Sequence, residues 1–170
     1  MVWMKTLLKR FACALLALFA LAGSVAAIEY FGGQPMGLFA GARPAGLGFN
    51  VNAGKFAPPS WKPNCVSSTV DKGDEKHYIA PIAYSVGSAE AWKKLVAIVK
   101  GTARVTVVTE NANYLYTEFK SAGMGFVDDV EFALDEKAGV IQVRSASRLG
   151  VRDLGANRAR IEAIRAQFGK

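Results

Sequence analysis

The sequence predicts an α+β fold in which two helices pack on one face of an antiparallel sheet of about four to five strands. A helical pattern of apolar residues ends near Lys100, four short strand patterns follow, and a second helical pattern closes the chain. The turns between the strand patterns are too short for the crossovers that parallel strands need, so consecutive strands are expected to be antiparallel. Helices on either side of such a meander are typical of an α+β domain.

Residues 1–27 are predicted to direct export. They have a basic start, an apolar run over residues 11–21 and small residues at positions 25–27, which is the pattern of a cleaved signal peptide. The alternative is an uncleaved anchor. The mostly apolar segment 11–28 is 18 residues long, which is close to the lower limit of the roughly 17–25 residues that span a bilayer. In both cases the rest of the chain is expected to be translocated across the membrane. We therefore expect an exported protein, either periplasmic or anchored in the inner membrane and facing the periplasm.

The charge of the chain argues against a nucleic-acid partner. The net charge is +7, but residues 1–27 contain three basic and no acidic residues, so the remainder carries only +4. A nucleic-acid-binding domain is expected to be more strongly basic. The mild excess supports at most a weak preference for anionic partners.

Residues 28–63 are predicted to form an arm. Glycine and proline are too frequent here for a regular helix or a central strand. The segment is nevertheless too apolar for a solvated linker, so we expect it to lie across the domain surface with its aromatic side chains tucked in. These aromatic residues are Phe31, Phe39, Phe49, Phe56 and Trp61.

Residues 64–170 are predicted to form the compact domain. Tyr78–Ser85 is a candidate edge strand, because Pro81 is tolerated only at the edge of a sheet. Ser88 is expected to cap a helix over Ala89–Lys100. The apolar stripe of that helix consists of Trp92, Leu95, Val96 and Val99.

Four strands and a second helix are expected after Gly101. The strand patterns are rich in β-branched or aromatic residues and bounded by turn residues. They are Arg104–Glu110, Tyr114–Lys120, Phe126–Leu134 and Val140–Ser145. The final helix would be capped by Asn157 or Asp153 and turn Ile161, Ile164 and Phe168 inward.

The last hairpin has a predicted register. Its apolar faces match when Phe132 lies opposite Ile141. The same register places Asp129 opposite Arg144 and Glu131 opposite Gln142 on the other face, which predicts a cross-strand ion pair there. Asp128 shares the apolar face, so it is expected at the rim or buried with a partner. Candidate partners are Arg148, Arg152 and Arg158.

Several motifs resemble one known family. They are PNCVSS at 63–68, GFVDDVEF at 125–132, RSASRLG…DLG.NR.RIE at 144–162 and G.F.G.RP..LG at 37–48. Together they resemble the family called "domain of unknown function 1499". The resemblance implies small exported bacterial proteins and plastid relatives with no established activity. Some relatives have a second cysteine before the PNC motif, whereas the mature form of this chain would keep Cys65 alone and form no internal disulfide.

The polar segment after residue 127 supports two hypotheses. Arginine side chains, hydroxyl groups and the amides of a helix N-terminus would suit a phosphate or carboxylate. Alternatively, neighbouring aspartates already neutralise these arginines in a structural network. The candidate residues are Asp128, Asp129, Arg144, Ser145, Ser147, Arg148, Asp153, Asn157 and Arg158.

A thiol enzyme is a further hypothesis, with Cys65 as nucleophile and His77 as base. Asp71 or Asp74 could orient His77, the only histidine. The competing interpretation makes Cys65 a small buried apolar residue, with no catalytic residue in the chain. No spacing of histidine, cysteine or carboxylate residues indicates a metal site, and no cofactor is expected.

These observations favour a non-catalytic binding or scaffold module at the periplasmic face of the membrane. The aromatic arm and the helix-on-sheet arrangement could enclose an apolar ligand. Expected partners are the membrane itself, through an uncleaved N-terminal segment, and an anionic ligand or a membrane protein. The alternative is a hydrolase or thiol-dependent enzyme that uses Cys65 and His77.

Overall fold

The computed structural model describes residues 39–170, which belong to one compact unit. The predicted export segment and the first part of the predicted arm lie outside the described residues. Among the residues that are described, no helix is both long and apolar enough to cross a bilayer.

The described chain contains eight strands and two helices. In chain order they are β1 (Phe49–Asn50), β2 (Lys55–Phe56), β3 (Cys65–Ser67), β4 (Ile82–Ala83), α1 (Ser88–Lys100), β5 (Val105–Glu110), β6 (Tyr114–Lys120), β7 (Val127–Asp135), β8 (Val140–Ser147) and α2 (Ala156–Phe168).

Six of these strands form one antiparallel sheet, which confirms the α+β class. Five lie side by side in the order β3-β8-β7-β6-β5, and β4 also pairs with β8. Strands β5 to β8 are the predicted meander. Strand β3 was not predicted, because three residues after a proline-rich segment are too few to show a period. Only Ile82–Ala83 of the predicted edge strand at 78–85 pairs with β8.

Both helices cover the same face of the sheet. Their apolar stripes share one core with alternate residues of the strands, among them Val130 and Phe132 of β7. The fully or almost fully buried apolar residues of the helices are Ala91, Trp92, Leu95, Val99, Ile161, Ile164 and Phe168.

The predicted cap of α1 is wrong. The N-cap position is Gly87, and Ser88 is the first helical residue. The Ser88 hydroxyl instead donates a 2.6 Å hydrogen bond to Glu136 in the turn between β7 and β8. Ser88 therefore connects the helix to the sheet and does not cap the helix.

The predicted register of the last hairpin is also wrong, by two residues. Phe132 lies opposite Val143, and Arg144 lies opposite Glu131 instead of Asp129. The predicted pairing required a two-residue turn at Glu136, whose favoured forms need positive φ angles. The actual connection is longer and places Gly139 at φ 65°. Because the side-chain period is two, this shift leaves every side chain on its predicted face.

The second face of the sheet is contacted by the described part of the arm. The amide of Gly48 donates to Glu131 on β7, and the carbonyl of Ala57 accepts from Arg144 on β8. Phe56 is buried and packs edge-on against Phe49, with ring centroids 5.0 Å apart. Trp61 is 72% exposed and Phe39 is 38% exposed, so the prediction that the arm's aromatic residues are tucked in is wrong for these two.

Candidate functional site

Charged side chains are concentrated on the face of the sheet that points away from the helices. Side chains alternate along a strand, so Asp129 and Glu131 lie on this face of β7. Arg144 of β8, Arg148 just after that strand and the tyrosines of β6 lie beside them. We call this set the polar layer; it consists of Arg43, Tyr114, Tyr116, Glu118, Asp129, Glu131, Arg144 and Arg148.

Glu131 and Arg144 form a buried ion pair in the polar layer. Arg144 Nη1 donates to Glu131 Oε2 at 3.0 Å, and the Glu131 side chain is fully buried. Glu131 Oε1 accepts from the amide of Gly48 and from the hydroxyl of Tyr114, both at 2.7 Å. Burial and the Glu131 charge raise the pKa of Tyr114, so the phenol stays a donor. The pair therefore joins strands β6, β7 and β8 to the arm.

Arg148 is the second centre of the polar layer. Its Nε lies 3.1 and 3.0 Å from the two carboxylate oxygens of Asp129, and its Nη2 donates to Asp129 and Glu118. Tyr116 donates to Asp129 Oδ1 at 2.6 Å, and Arg43 reaches Glu118 from the arm. Burial alone would lower the pKa of Arg148, but its bonds to the two carboxylates outweigh burial and raise it.

Asp128 lies on the helical face of the sheet, and its partner is Arg160. Arg160 Nη2 lies 2.5 Å from Asp128 Oδ2, while Nη1 donates to Ser145 and Asn157 at 2.9 and 2.7 Å. The predicted partners Arg148, Arg152 and Arg158 were therefore wrong. The helical period could have identified Arg160, because it lies three residues after the buried Asn157 on the sheet-facing side of α2.

Asp153 engages the N-terminus of α2. Its carboxylate accepts from the amides of Gly155 (3.1 Å) and Asn157 (2.9 Å) and from the side-chain amide of Asn157. Burial alone would raise the pKa of Asp153, but these backbone hydrogen bonds outweigh burial and lower it. A carboxylate of the chain itself therefore occupies the helix terminus that was considered for an anion.

The remaining predicted polar residues lie around Asn157. The Ser147 hydroxyl accepts from Asn157 Nδ2 at 2.9 Å, and the Ser145 hydroxyl donates to Asn157 Oδ1 at 2.6 Å. Arg158 lies apart from them, since it donates to the carbonyl groups of Glu75 and Lys76. Within the described chain, every buried side-chain nitrogen and oxygen has a hydrogen-bond partner.

Cys65 and His77 are both buried but are not hydrogen-bonded to each other. Cys65 is 4% exposed, and burial raises the pKa of its thiol. His77 Nδ1 lies 2.7 Å from Asp74 Oδ2, and Nε2 lies 3.0 Å from the carbonyl oxygen of Lys62. Both nitrogens of the ring therefore have a partner within the chain. The ring thereby holds Lys62 to the turn that contains Asp74.

No group of three or more histidine, cysteine or carboxylate residues within the described chain could hold a metal ion. Asp71, the other acid considered for orienting His77, accepts instead from the amide of Gly73 at 2.7 Å.

A cavity of about 260 Å³ lies beside the loop between β8 and α2. One part of its wall is apolar, and the other part is polar and includes the exposed Arg152. The lining residues are Ser121, Phe126, Val127, Asp128, Ser147, Leu149, Gly150, Arg152, Asp153, Leu154 and Ala156. The sequence had indicated Asp128, Ser147 and Asp153 as candidates, but not the apolar lining.

A family model described as "Protein of unknown function (DUF1499)" matches residues 55–168, more than half of the chain. The chain belongs to the DUF1499 family. This confirms the family resemblance seen in the sequence. No curated protein and no solved structure matches the chain significantly.

The DUF1499 match contains the six-stranded sheet, both helices and the cavity. Arg43 and Gly48, which connect the arm to the polar layer, precede the matched residues. Sequence reasoning placed Glu131 on the correct face of β7 but gave it the wrong partner. Its partner depends on the turn that sets the register, and its contact with Gly48 depends on the path of the arm.

Proposed function

We propose that this DUF1499 protein is an exported, non-catalytic binding module that acts at the periplasmic face of the membrane. The observation that carries the proposal is the cavity beside residues 149–156, where an apolar wall lies among exposed apolar side chains. Ligand sites are typically concave and largely apolar, with a few polar groups that orient the ligand. We infer that this cavity holds an apolar part of the ligand or partner.

The polar layer supports a binding role over a catalytic one. The guanidinium groups of Arg144 and Arg148 are bonded to buried carboxylates. A reacting group needs a free, positioned partner, and these side chains are used to hold strands and arm together. We infer that the polar layer is the rigid support on which the cavity is built.

Export is supported by the pattern of residues 1–27. The intact mass of the protein from soluble and membrane fractions of its native host tests it. A soluble species that begins near Ile28 would support a periplasmic protein, and an uncleaved chain in the membrane would support an anchored one. Accumulation of the uncleaved chain in the cytoplasm would contradict export.

The cavity can be tested with a photoactivatable alkyl diazirine of about ten carbons and mass-spectrometric mapping of its adducts. We expect adducts on peptides that contain Phe126 and Leu149. Ala156→Phe should fill the cavity and remove them, because Ala156 lines it. Ala159→Phe is the matched control, since Ala159 is exposed on the same helix but does not line the cavity. Adducts that Ala156→Phe leaves unchanged would contradict the site.

The alternative function is a hydrolase or thiol-dependent enzyme. The pairing of Asp74 with His77 favours it, since an acid orients the histidine in many nucleophilic sites. Against it, His77 Nε2 faces the carbonyl of Lys62 and not the Cys65 thiol. Cys65→Ala in a folded protein should abolish a thiol-dependent activity but leave binding in the cavity unchanged.

A further inference from the structure

Exposed apolar side chains are clustered around the cavity. Leu149 and Leu154 line it, and Phe39 stacks on the lining residue Phe126 with ring centroids 5.0 Å apart. Met124 lies two residues before Phe126, and Val151 lies between two lining residues. We call this set the apolar rim; it consists of Phe39, Met124, Leu149, Val151 and Leu154.

Leu154 is the most exposed member of the apolar rim. Its surface is 98% exposed, and its backbone adopts a left-handed conformation with φ 54°. That conformation is uncommon for a residue with a bulky side chain, and outliers of this kind cluster at functional sites. Core packing within the described chain does not account for Leu154, because its side chain points almost wholly into solvent.

Two cations lie beside the apolar rim without a carboxylate partner in the described chain. Arg152 lines the cavity, is exposed and forms no ion pair with any described residue. Arg104 is also exposed, and its Nε donates to the carbonyl of Lys120, next to the lining residue Ser121. The nearby carboxylates have other partners: Asp128 pairs with Arg160, and Asp153 accepts from the amides of α2.

The described chain begins at this face. Phe39 is its first residue, and Gly41 approaches the side chains of Arg148 and Leu149. Phe39, the described residue nearest in the chain to the predicted export segment, therefore lies on the side of the apolar rim. If that segment is an anchor, residues 29–38 limit the separation of Phe39 from the membrane to about 35 Å.

From these observations we propose that the apolar rim docks on an anionic lipid bilayer. Leu154 and Val151 enter the interfacial region, and Arg152 and Arg104 bind lipid phosphates, because basic residues near an anionic surface strengthen attachment. The cavity takes part of an acyl chain, since it is smaller than the roughly 300–1,000 Å³ of a typical site for a whole small molecule. This inference rests on the proposed function, because it needs the domain to lie beside a membrane.

Hydrogen exchange of residues 149–154 can test the docking. Apart from the amide of Asp153, which bonds its own carboxylate, none of their backbone amides donates a hydrogen bond within the described chain, so they should exchange rapidly in water. The full-length chain is reconstituted in nanodiscs of phosphatidylcholine, with or without phosphatidylglycerol. We expect these amides to exchange roughly 25-fold more slowly in the anionic discs, because each of the two basic contacts supplies about a factor of five.

Three variants separate the parts of the proposal. Leu154→Ser should remove the protection in both disc types, whereas Arg152→Gln should reduce only the increment due to phosphatidylglycerol, because Arg104 still binds phosphate. Val86→Ser is the control, because Val86 is also an exposed apolar residue but does not belong to the apolar rim. The N-terminal segment is present in every variant, so a change reports the rim and not lost anchoring.

Equal exchange in the two disc types, or protection that survives Leu154→Ser, would overturn the proposal. Protection only in discs with two copies of the chain would also overturn it, by showing that the rim binds a second copy. The diazirine experiment distinguishes a failure of the docking proposal from a failure of the proposed function. If docking alone fails, the alkyl diazirine still labels the cavity; if the function fails, Ala156→Phe leaves that labelling unchanged.

Discussion

Replacing Arg144 with alanine is the most direct test of a structural role for the polar layer. The variant removes the 3.0 Å bond from Arg144 Nη1 to Glu131 Oε2 and the 3.1 Å bond from Nε to the carbonyl of Ala57. Glu131 keeps its bonds from Gly48 and Tyr114. Its carboxylate stays in a fully buried position without a counter-ion.

The expected cost follows from this burial. Removing one partner of a buried ion pair typically lowers the free energy of unfolding by roughly 3–5 kcal/mol. Two hydrogen bonds to Glu131 remain, so we expect a value in the lower half of that range. At roughly 2–4 °C per kcal/mol for a chain of this size, the melting temperature should fall by about 6–16 °C.

Urea denaturation followed by circular dichroism measures the change. Lys100→Ala is the control, because it breaks a pair with Glu110 in which both side chains are substantially exposed. Such pairs contribute roughly 0–1 kcal/mol. Replacing both buried partners, with Arg144→Met and Glu131→Leu, should recover much of the loss because no unpaired charge remains.

A structural role would be refuted if Arg144→Ala unfolded at the same urea concentration as the Lys100→Ala control. Inorganic phosphate gives a second criterion. If Arg144 is used for structure, phosphate should leave the melting temperature of the wild type unchanged. Stabilisation by phosphate that disappears in Arg144→Ala would instead support an anion site.

Three further predictions concern Asp153, Asp74 and Cys65. Asp153→Ala removes the acceptor for the first amides of α2 and should cost roughly 0.5–2 kcal/mol. The pKa of Asp153 is lower in the folded chain, so this stabilisation is present above the unfolded pKa of about 3.9 and is lost as the pH falls through the folded pKa. The difference in urea midpoint between wild type and variant should therefore be smaller at pH 3 than at pH 7, and an equal difference would contradict the prediction. Asp74→Ala should speed hydrogen exchange in the turn that His77 holds. The His77 hydrogen bond lowers the pKa of Asp74, so that difference should also shrink in acid. Iodoacetamide at pH 8 should modify Cys65 only in unfolded protein, because burial raises its pKa; rapid labelling of the native chain would contradict this.

Local patterns were sufficient for the regular elements. The period of two in the meander and the stripe at Trp92, Leu95 and Val99 predicted strands β5–β8 and helix α1 to within two residues. Short elements gave no such signal. Strand β3 has three residues and is stabilised by pairing with β8, a contact between residues far apart in the sequence.

The ion-pair partner of a charged residue was harder to predict than the face of the sheet on which its side chain lies. The alternation of side chains placed Asp129 and Glu131 on the face opposite Phe132, and the structure has the same arrangement. Which arginine each carboxylate meets depends on the register, and the turn that ends at Gly139 shifts that register by two residues. A shift of two changes every cross-strand partner without changing any face.

By itself, therefore, the sequence determined the α+β class, the faces of the strands and the membership of DUF1499, because these depend on local periodicity and motifs. The tertiary structure alone decided that Glu131 pairs with Arg144, that Arg160 reaches Asp128 and that Arg152 forms no ion pair with any described residue beside the cavity. The path of the arm over the polar layer was decided in the same way, since the bond from Gly48 to Glu131 joins residues 83 positions apart. Contacts over such separations depend on how the whole chain closes its loops and buries its charges, which no local pattern records.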